Sequence, residues 1–307
     1  MQHHDIIVIG AGPAGLTAGF YLAHYGFDTI IFDESIAGGY AAEIPFLENY
    51  PGCVGGMSGK DLVDRMVTQC KKAGTEIHQF ERAIGLNFEE KKHIVKTEKS
   101  NFSTEAIIIA SGRYAKMLGI PGEDQFQGKG VSHCAVCDGS FFRDKNVVVV
   151  GEDRRAAEVA IFLSKIASRV RLVCEKKELC AEMILLEDLE KQKVKILGDT
   201  EIKEIKGDVK VRSIVLFDKQ TGDTKEIDTD GVFVQLEGVP NSKIARESGI
   251  KVDKDGYILV DDKGRTNIDR VYAVGDVIAS SIKLVVTATA QAASAALDVL
   301  DHINRSH

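Results

Sequence analysis

The sequence has few of the residues that mark disordered, fibrous or disulfide-built proteins. Its 307 residues include 5 prolines and 6 cysteines, and 44% of them are hydrophobic. This composition excludes disordered, collagen-like and coiled-coil chains, and it supplies a core large enough for two domains. Six cysteines in a chain of this size are also too few for a disulfide scaffold.

Charge and hydropathy argue against two further classes of partner. The 39 Lys and Arg residues stand against 46 Asp and Glu residues, a formal net charge of −7. The chain has no basic block that could track a phosphate backbone, so we expect neither nucleic acid nor an anionic membrane as a partner. It has no apolar stretch that could span a bilayer, and residues 1–5 lead into the apolar run 6–9 without the pattern of a signal peptide. We therefore expect a cytoplasmic protein.

One cysteine pair has the spacing of a redox centre. Cys134 and Cys137 enclose two residues and are followed by Asp138. Such a pair can close a small reversible disulfide, and the adjacent carboxylate can move protons to and from a leaving thiolate. Half a zinc site and two buried thiols are the alternatives, but the chain has no second C-x-x-C pair to complete a zinc site. We favour the redox pair and expect no metal. The other cysteines, which lack metal-ligand spacing, are Cys53, Cys70, Cys174 and Cys180.

The first 33 residues have the pattern of a dinucleotide-binding βαβ unit. An apolar strand at 5–9 leads into the turn Gly10-x-Gly12-x-x-Gly15, a helix follows, and a second strand at 29–32 ends in Asp33. These glycines permit a tight turn and bring backbone N–H groups and the positive end of a helix to a pyrophosphate. Asp33 is placed to accept hydrogen bonds from a ribose. A glycine turn that serves only packing is the alternative.

The same order of elements returns in the middle of the chain. A strand at 146–150 leads into a turn that begins at Gly151, followed by a helix at 156–165 and a strand at 170–173. A strand at 271–274 and an alanine-rich amphipathic helix at 287–303 end the sequence. We predict an α/β fold of two Rossmann-like nucleotide-binding domains, the second inserted into the first. The predicted domains are residues 1–115 with 243–307, and residues 116–242.

Five motifs, in this order and spacing, resemble those of the low-molecular-weight thioredoxin reductases, and the resemblance spans nearly the whole chain. They read GAGPAG at 10–15, ENYPG at 48–52, IASG at 109–112, CAVCDG at 134–139 and YAVGD at 272–276. The resemblance implies an FAD-dependent disulfide reductase that acts on a thioredoxin-like protein and forms a homodimer. Residues 1–115 and 243–307 would bind FAD, and residues 116–242 would form a pyridine-nucleotide-type domain carrying the C-x-x-C pair.

The same resemblance implies roles for individual residues. Cys137 would be the thiol that faces the flavin, Cys134 the thiol that attacks the protein substrate, and Asp138 the acid–base group. The FAD pyrophosphate would lie at residues 10–15 and the adenosine ribose at Asp33, while Asp276 would hold the ribityl-phosphate arm. The turn at 38–39 and one asparagine would border the isoalloxazine. The positions matched to the FAD site are Gly10, Gly12, Pro13, Ala14, Gly15, Asp33, Glu34, Gly39, Tyr40, Asn49, Gly112, Gly275, Asp276, Lys283, Leu284 and Val285.

Two of these matches depart from the family pattern. Lys283-Leu284-Val285 stands where the family usually has Arg-Gln-Ala at the start of the last helix, whose backbone N–H groups can still stabilise negative charge on the reduced flavin. Lys283 either adds to that field or is only exposed. Tyr40 replaces the usual glutamine and either stacks near the flavin, guards the entrance of the electron donor or is a core aromatic.

The second glycine turn, which begins at Gly151, departs most from the family pattern. Family members that use NADPH carry G-x-G-x-x-A, and this chain has Asp153 in place of the middle glycine. A side chain and a negative charge there oppose a pyrophosphate. The positions that usually grip the 2′-phosphate with histidine and arginines are Cys174, Glu175, Lys176 and Cys180, of which only Lys176 is basic. We expect both of these cysteines to be buried small residues.

We therefore predict an electron donor other than NADPH. The family has branches with similarly eroded sites, which take electrons from a reduced deazaflavin or from ferredoxin, and this sequence resembles them. An NADH-dependent reductase is an alternative, because Glu175 could accept a hydrogen bond from the ribose 2′-OH. Arg154 and Arg155 either compensate partly for Asp153 or are solvated helix-start residues.

Two other functions use the same motifs. A flavin-dependent dithiol oxidase would close a small-molecule disulfide and pass electrons to oxygen. A non-catalytic flavin-bound redox sensor would signal through a partner, although such a sensor would not need to keep Asp138 beside the cysteine pair. The leading hypothesis remains a thioredoxin reductase-like flavoprotein with an atypical donor.

Overall fold

The computed structural model describes residues 1–89, 92–280 and 282–304. The chain forms two units, each compact in itself. One comprises Met1–Tyr114 with Val239–His307, and the other comprises Ala115–Gly238. We refer to them as the discontinuous unit and the inserted unit.

The discontinuous unit is built on one twisted sheet with helices packed against it. Its strands are β1 (Gln2–Ile9), β2 (Thr29–Phe32), β3 (Glu76–His78), β4 (Ala83–Phe88), β5 (His93–Thr97), β6 (Asn101–Ile109), β7 (Arg113–Tyr114), β16 (Val239–Pro240) and β17 (Val271–Ala273). Its helices are α1 (Pro13–His24), α2 (Gly59–Lys72), α6 (Lys243–Glu247) and α7 (Val285–Asn304), with short 3₁₀ segments at Gly39–Glu43 and Gly275–Val277.

The strand order of this sheet is β3-β2-β1-β6-β5-β4, and β17 also pairs with β6. Strands β1, β2, β3, β6 and β17 are parallel, whereas β5 runs antiparallel to β4 and β6. Ile9 is in register with Phe32 and Ile109, and Ala273 is in register with Ile109. The residues that follow these strands therefore meet at one edge of the sheet, where open parallel sheets bind ligands.

Small side chains bring α1 and α7 close together on one face of this sheet. Leu16 and Leu22 of α1 are buried in one cluster with Ala292, Ala295 and Val299 of α7. The alanines let the helix axes approach each other, and apolar residues three or four positions apart keep one stripe of α7 buried. This packing fixes the amino end of α1 against the sheet.

The inserted unit repeats this architecture on a smaller scale. Its strands are β8 (Val131–Ser132), β9 (Asn146–Val150), β10 (Arg169–Val173), β11 (Lys195–Leu197), β12 (Thr200–Gly207), β13 (Val211–Asp218), β14 (Thr224–Asp228) and β15 (Gly231–Val234). Its helices are α3 (Ala135–Asp138), α4 (Arg154–Ser164) and α5 (Met183–Lys191), with a 3₁₀ segment at Gly139–Phe142. A parallel sheet has the order β11-β10-β9-β15-β8, and an antiparallel sheet has the order β12-β13-β14.

The α/β class with two Rossmann-like folds is confirmed, and two helix starts differ from the expectation. Helix α4 begins at Arg154 rather than 156, and α7 begins at Val285 rather than 287. The first difference has a local cause, because the side chain of Asp153 caps α4. Among the described residues, none of the helices has the length and apolar character needed to cross a bilayer.

The chain passes from the discontinuous unit to the inserted unit and back through a short ribbon. Strand β7 pairs antiparallel with β16, so that Tyr114 lies opposite Val239 and Arg113 lies opposite Pro240. The Ser111 hydroxyl donates to the Asn241 carbonyl at 2.7 Å, and the Asn241 N–H donates to the Gly112 carbonyl at 2.9 Å. Both crossing segments are thus held together on the discontinuous unit.

Candidate functional site

The first glycine turn connects the carboxyl end of β1 to α1. Gly10 has φ +104°, and a Cβ there would lie 2.4 Å from the Ala110 carbonyl oxygen. A Cβ on Gly15 would lie 1.8 Å from the Gly10 carbonyl oxygen. Neither position accommodates a side chain, because the helix packs directly against the turn and the turn against β6.

The amino end of α1 has no side-chain cap. Gly12 is the N-cap residue, it makes no side-chain hydrogen bond, and a Cβ there would meet no other heavy atom within 4 Å. Pro13 and Ala14 open the helix. A helix start carries unsatisfied N–H groups and partial positive charge, so an open start of this kind suits an anion such as a pyrophosphate.

Asp33 lies beside this turn at the end of β2. Its Oδ2 accepts the Ala11 N–H at 2.6 Å, and its Oδ1 accepts the Ser35 N–H at 2.8 Å. Burial raises the pKa of Asp33, and the two N–H groups offset part of that rise. Each carboxylate oxygen has two lone pairs, so the carboxylate keeps acceptor capacity for ribose hydroxyls. The next residue, Glu34, is exposed and pairs with Arg82 at 3.2 Å.

The turn at 38–39 lies against the glycine turn. Gly38 and Gly39 have φ values of +135° and +53°, and the Gly38 N–H donates to the Ala11 carbonyl at 2.8 Å. A Cβ on Gly39 would lie 3.2 Å from the Gly12 Cα. The 3₁₀ segment that follows contains half-buried Tyr40 and ends at Glu43, whose pKa burial raises to about 7. Farther along, Asn49 is exposed.

The third wall of the site is the turn after β17. Gly275 has φ +78°, and a Cβ there would lie 3.0 Å from the Ala14 Cβ at the start of α1. The neighbouring Asp276 pairs with Arg113, whose Nε and Nη2 both lie 3.1 Å from Asp276 Oδ2. Gly112, with φ +65°, precedes Arg113 in the crossing ribbon. The structure therefore places Asp276 beside the open end of α1.

Lys283 also reaches this turn. Its ammonium donates to the backbone carbonyls of Asp276 at 3.2 Å and Ile278 at 2.5 Å, and it lies 4.3 Å from the ring centroid of Tyr257. Lys283 is thus half-buried and bonded to backbone rather than simply exposed. Leu284 is exposed, and its N–H donates to the Thr287 hydroxyl at 3.1 Å just before α7 begins at Val285.

The second glycine turn, in the inserted unit, differs at the position that matters for an anion. Asp153 is the N-cap residue of α4, and its Oδ1 accepts the N–H groups of Arg155 at 3.1 Å and Ala156 at 3.2 Å. The carboxylate therefore occupies the helix start that a pyrophosphate would use and adds a negative charge there. Gly151 retains the close packing of the first turn, since a Cβ there would lie 2.4 Å from the Gln235 carbonyl oxygen.

Acidic partners surround the cations near this turn. Lys176 pairs with Glu152 at 2.8 Å, and Arg154 pairs with Glu158 at 2.7 Å and Glu182 at 2.5 Å. Arg154 is therefore not a freely solvated helix-start residue. Glu175, the residue considered for a ribose 2′-OH, pairs with Lys219 at 3.1 Å. Lys176 and Arg154 are therefore paired with acidic side chains.

One expectation about the neighbouring cysteines is wrong. Cys174 is fully buried, as expected, and burial raises the pKa of its thiol. Cys180 is exposed instead of buried. Its backbone explains the difference, because the Cys180 N–H donates to the Glu152 carbonyl at 2.8 Å and holds the segment along the outer side of the turn.

Cys134 and Cys137 form a disulfide at the start of α3. Cys134 is the N-cap residue, is half-buried, and its Sγ accepts the Cys137 N–H at 3.1 Å, whereas Cys137 itself is exposed. An N–H group that points at sulfur stabilises a thiolate there once the disulfide is reduced. The Cys134 sulfur therefore has a backbone donor of this kind.

Asp138 is linked to the disulfide through a serine. Ser132 is buried, and its hydroxyl donates to Asp138 Oδ2 at 2.7 Å. The Cys134 N–H in turn donates to the Ser132 oxygen at 3.1 Å. Asp138 is half-buried and belongs to the same helical turn as both cysteines. The carboxylate is thus connected through Ser132 to the backbone of Cys134.

Sequence reasoning missed Arg113 and Ser132 as site residues. Ser132 lies two residues before Cys134, which is a signal that the sequence offers. Arg113 is 163 positions from Asp276 along the chain, so no local pattern connects the two. Only the meeting of β6 and β17 at one sheet edge brings them together.

A group of possible metal ligands lies elsewhere. Among the described residues, His3, Asp5 and Glu105 bring ligand atoms within 4.8 Å of one another on β1 and β6. Gly10 lies five positions after Asp5, which is roughly 16 Å along an extended strand. This group is therefore remote from the glycine turn and forms no part of the site described above.

Comparison with known proteins agrees with this architecture. The family model described as pyridine nucleotide-disulphide oxidoreductase matches residues 4–292. A thioredoxin reductase of Bacillus subtilis (strain 168) is 36% identical over 302 residues, covering 98% of this chain and 95% of that protein. The crystal structure of a T. acidophilum thioredoxin reductase has a TM-score of 0.94 at 31% identity, covering 99% of this chain and 100% of that one. A ferredoxin-flavin thioredoxin reductase from Clostridium acetobutylicum has a TM-score of 0.55 at 28% identity, covering 99% of each chain.

Two nucleotide-binding folds, one with an open glycine turn and one carrying a C-x-x-C disulfide, define a flavin-dependent disulfide oxidoreductase. Within that class the chain belongs to the low-molecular-weight thioredoxin reductase family. The predicted family, FAD cofactor and disulfide reductase activity are therefore confirmed, and proteins of this family act on thioredoxin.

Proposed function

We propose that this thioredoxin reductase takes electrons from a donor other than NADPH, with reduced deazaflavin or reduced ferredoxin favoured. The observation that carries the proposal is the Asp153 carboxylate, which accepts the N–H groups of Arg155 and Ala156 at the start of α4. A nucleotide pyrophosphate would have to displace that carboxylate and tolerate its charge. The corresponding start of α1 has Gly12 and no side-chain cap.

The charges near Asp153 support the same conclusion. A 2′-phosphate needs cations that are free to pair with it, and charge-assisted hydrogen bonds to such a group contribute about 1.5–3 kcal/mol each. Lys176 pairs instead with Glu152, and Arg154 pairs with Glu158. The similarity to a ferredoxin-flavin thioredoxin reductase agrees with a non-nicotinamide donor. Because the reduction potential of thioredoxin is about −270 mV, electron transfer to it from a donor of lower potential is thermodynamically favourable.

The discontinuous unit provides the residues that would hold FAD. We assign the pyrophosphate to the open start of α1 at residues 10–15 and the adenosine ribose to Asp33, beside Glu34. We assign the ribityl end to Asp276 and the flavin ring to the segment containing Gly39 and Tyr40, with Asn49, Gly112 and residues 283–285 at its border. FAD, when bound, supplies the two-electron carrier between the donor and the disulfide.

The residues of the inserted unit perform the exchange with the protein substrate. In the reduced form, the Cys137 N–H stabilises a thiolate on Cys134, which attacks one sulfur of the partner's disulfide and breaks that bond. Cys137 then attacks Cys134 in the mixed disulfide, which restores the Cys134–Cys137 bond and releases the partner as a dithiol. Asp138, held by Ser132, transfers the protons that the leaving and attacking sulfurs exchange.

The donor is tested by mixing the full-length flavoprotein anaerobically with four reductants in turn. Bleaching of the flavin absorbance is followed with NADPH, NADH, reduced deazaflavin and reduced ferredoxin. We expect rapid bleaching with deazaflavin or ferredoxin and bleaching at least about a hundredfold slower with NADPH, because at least two charged contacts to the nucleotide are absent. A Cys134→Ser variant is the matched control, since its flavin should bleach normally while the reduction of thioredoxin stops.

Rapid bleaching by NADPH would refute the proposal and would define an ordinary NADPH-dependent enzyme. Rapid bleaching by NADH alone would favour the Glu175 alternative. We also propose the homodimer that the family resemblance implies. Light scattering should then give about twice the 33.4 kDa chain mass, and a mass of one chain would contradict the dimer.

A further inference from the structure

We infer that Arg113 is a cofactor-positioning residue, which holds the Asp276 carboxylate and balances its charge beside the open start of α1. The inference rests on the proposed assignment of Asp276 to the ribityl end of FAD. It adds a residue that lies outside all five sequence motifs and that begins the crossing ribbon at β7.

The first step is the geometry of the pair. Arg113 Nε donates to Asp276 Oδ2 at 3.1 Å, Arg113 Nη2 lies 3.1 Å from the same oxygen, and the side chains of Arg113 and Asp276 are 15% and 27% exposed. Both of these contacts are with Oδ2, and each of the two oxygens of a carboxylate has its own lone pairs. A carboxylate held by one oxygen can therefore still accept a hydroxyl hydrogen with the other.

The second step is the place of this pair in the site. Gly275, the residue before Asp276, would bring a Cβ within 3.0 Å of the Ala14 Cβ. The segment before Arg113 closes the glycine turn, because the Ala110 carbonyl oxygen lies 2.4 Å from the Cβ position of Gly10. Arg113 thus spans from the segment after β6 to the turn after β17, across the edge at which α1 begins.

The third step is electrostatic. FAD carries two negative charges on its pyrophosphate, and an unbalanced carboxylate beside it repels those charges in a partly buried site. The Lys283 ammonium also lies near this turn, where it donates to the backbone carbonyls of Asp276 and Ile278. Arg113 supplies a guanidinium directly on Oδ2, so we expect removal of Arg113 to harm FAD binding through the remaining charge of Asp276.

A double-mutant cycle tests this coupling. The full-length chains carrying Arg113→Ala, Arg113→Gln, Asp276→Asn and the double change Arg113→Ala with Asp276→Asn are stripped of FAD, and the dissociation constant of added FAD is measured by flavin fluorescence. We expect Arg113→Ala to raise this constant about ten- to hundredfold and Arg113→Gln to raise it similarly, because glutamine restores a donor but no charge. In the Asp276→Asn background, Arg113→Ala should raise the FAD dissociation constant less than about threefold.

Lys60→Ala provides the matched control, because Lys60 forms an exposed ion pair with Asp64 at 2.6 Å on α2. It should leave the FAD dissociation constant unchanged. Circular dichroism of each stripped chain checks folding, and Arg113→Gln keeps the test valid if Arg113→Ala does not fold. The flavin midpoint potential, measured by dye equilibration, should fall in Arg113→Gln because a positive charge near the reduced flavin is lost.

The possible outcomes distinguish the role of Arg113 from the assignment of Asp276 to FAD. If Asp276→Asn weakens FAD binding but both Arg113 variants bind FAD like the unaltered chain, the inference about Arg113 is overturned and the assignment of Asp276 stands. Equal costs of Arg113→Ala in both backgrounds would overturn the coupling. If Asp276→Asn itself binds FAD normally, the proposed assignment of Asp276 fails, and the inference about Arg113 fails with it.

Discussion

The Asp153 cap predicts opposite effects on stability and on nucleotide binding. The Asp153 Oδ1 accepts two N–H groups at the start of α4, from Arg155 and Ala156. Replacement of an N-cap aspartate by alanine costs about 1 kcal/mol, replacement by glycine a few tenths, and asparagine is nearly equivalent. The negative charge at the helix start adds roughly 0.3–1 kcal/mol. The free energy of unfolding should therefore decrease in the order Asp, Asn, Gly, Ala at position 153.

The same variants distinguish two effects of Asp153 on nucleotide binding, the occupation of the N–H groups and the negative charge. Asp153→Gly frees both N–H groups and removes the charge, so NADPH should bind measurably and bleach the flavin at least about tenfold faster than in the unaltered chain. Asp153→Asn removes only the charge, and its side-chain oxygen still accepts the same N–H groups. We expect Asp153→Asn to bind NADPH only slightly better than the unaltered chain does, and clearly more weakly than Asp153→Gly.

Thermal unfolding and anaerobic flavin bleaching measure the two effects. Asp153→Ala should lower the melting temperature of the inserted unit by about 3–5 °C. The matched control is Ser58, which caps α2 by accepting the Asp61 N–H at 3.0 Å. Ser58→Ala should also lower stability but leave NADPH behaviour unchanged. Unaltered stability in Asp153→Ala, or equal NADPH binding in Asp153→Asn and Asp153→Gly, would refute the capping explanation.

Three further predictions concern the disulfide and two buried carboxyl groups. Cys134→Ser and Cys137→Ser should each abolish thioredoxin reduction while leaving the FAD content unchanged, and full activity in either variant would contradict the proposed exchange. Asp298 is 3% exposed and bonds to Arg265, Lys263 and Tyr272, which lowers its pKa to about 2. Because this pKa lies below its ordinary value of 3.8, the network should add about 2 kcal/mol to the free energy of unfolding above pH 4. This contribution is lost as the pH falls toward 2. Asp298→Asn should lack this acid dependence in thermal unfolding. Burial raises the pKa of Glu43 from 4.5 to about 7, so stability should fall as the pH rises through this range, and Glu43→Gln should remove up to about 3 kcal/mol of that fall. The same pH dependence in Glu43→Gln and in the unaltered chain would show that another group causes it.

Local patterns in the sequence were sufficient for much of the fold. The glycine spacing of residues 10–15 predicts a turn between a strand and a helix because a Cβ at Gly10 or Gly15 would collide with backbone. The C-x-x-C spacing predicts a closable pair because its cysteines are three positions apart, within one helical turn, and their Cα atoms lie 5.4 Å apart. The alanine-rich stripe of α7 likewise predicts a buried helix face.

The helix start at Arg154 and the exposure of Cys180 were predicted less well. Asp153 was recognised as an obstacle to a pyrophosphate, but its hydrogen bonds to the helix start depend on the backbone conformation of the turn. The sequence predicts a buried Cys180, because its side chain is small. Its exposure depends instead on the backbone bridge between Cys180 and Asp153, which no composition rule reports.

The sequence by itself determined the class of fold, the two glycine turns and the redox pair, because each depends on residues close together in the chain. The tertiary structure decided which charged side chains pair with each other, since ion pairs such as Lys219 with Glu175 join segments that are distant in the sequence. It also decided that Arg113 meets Asp276, a contact that forms only because β17 and β6 end in register at the same edge of the sheet. The spacing of residues within one helix, strand or turn is encoded locally. The charge balance of a site depends instead on side chains that follow parallel strands distant from each other in the sequence.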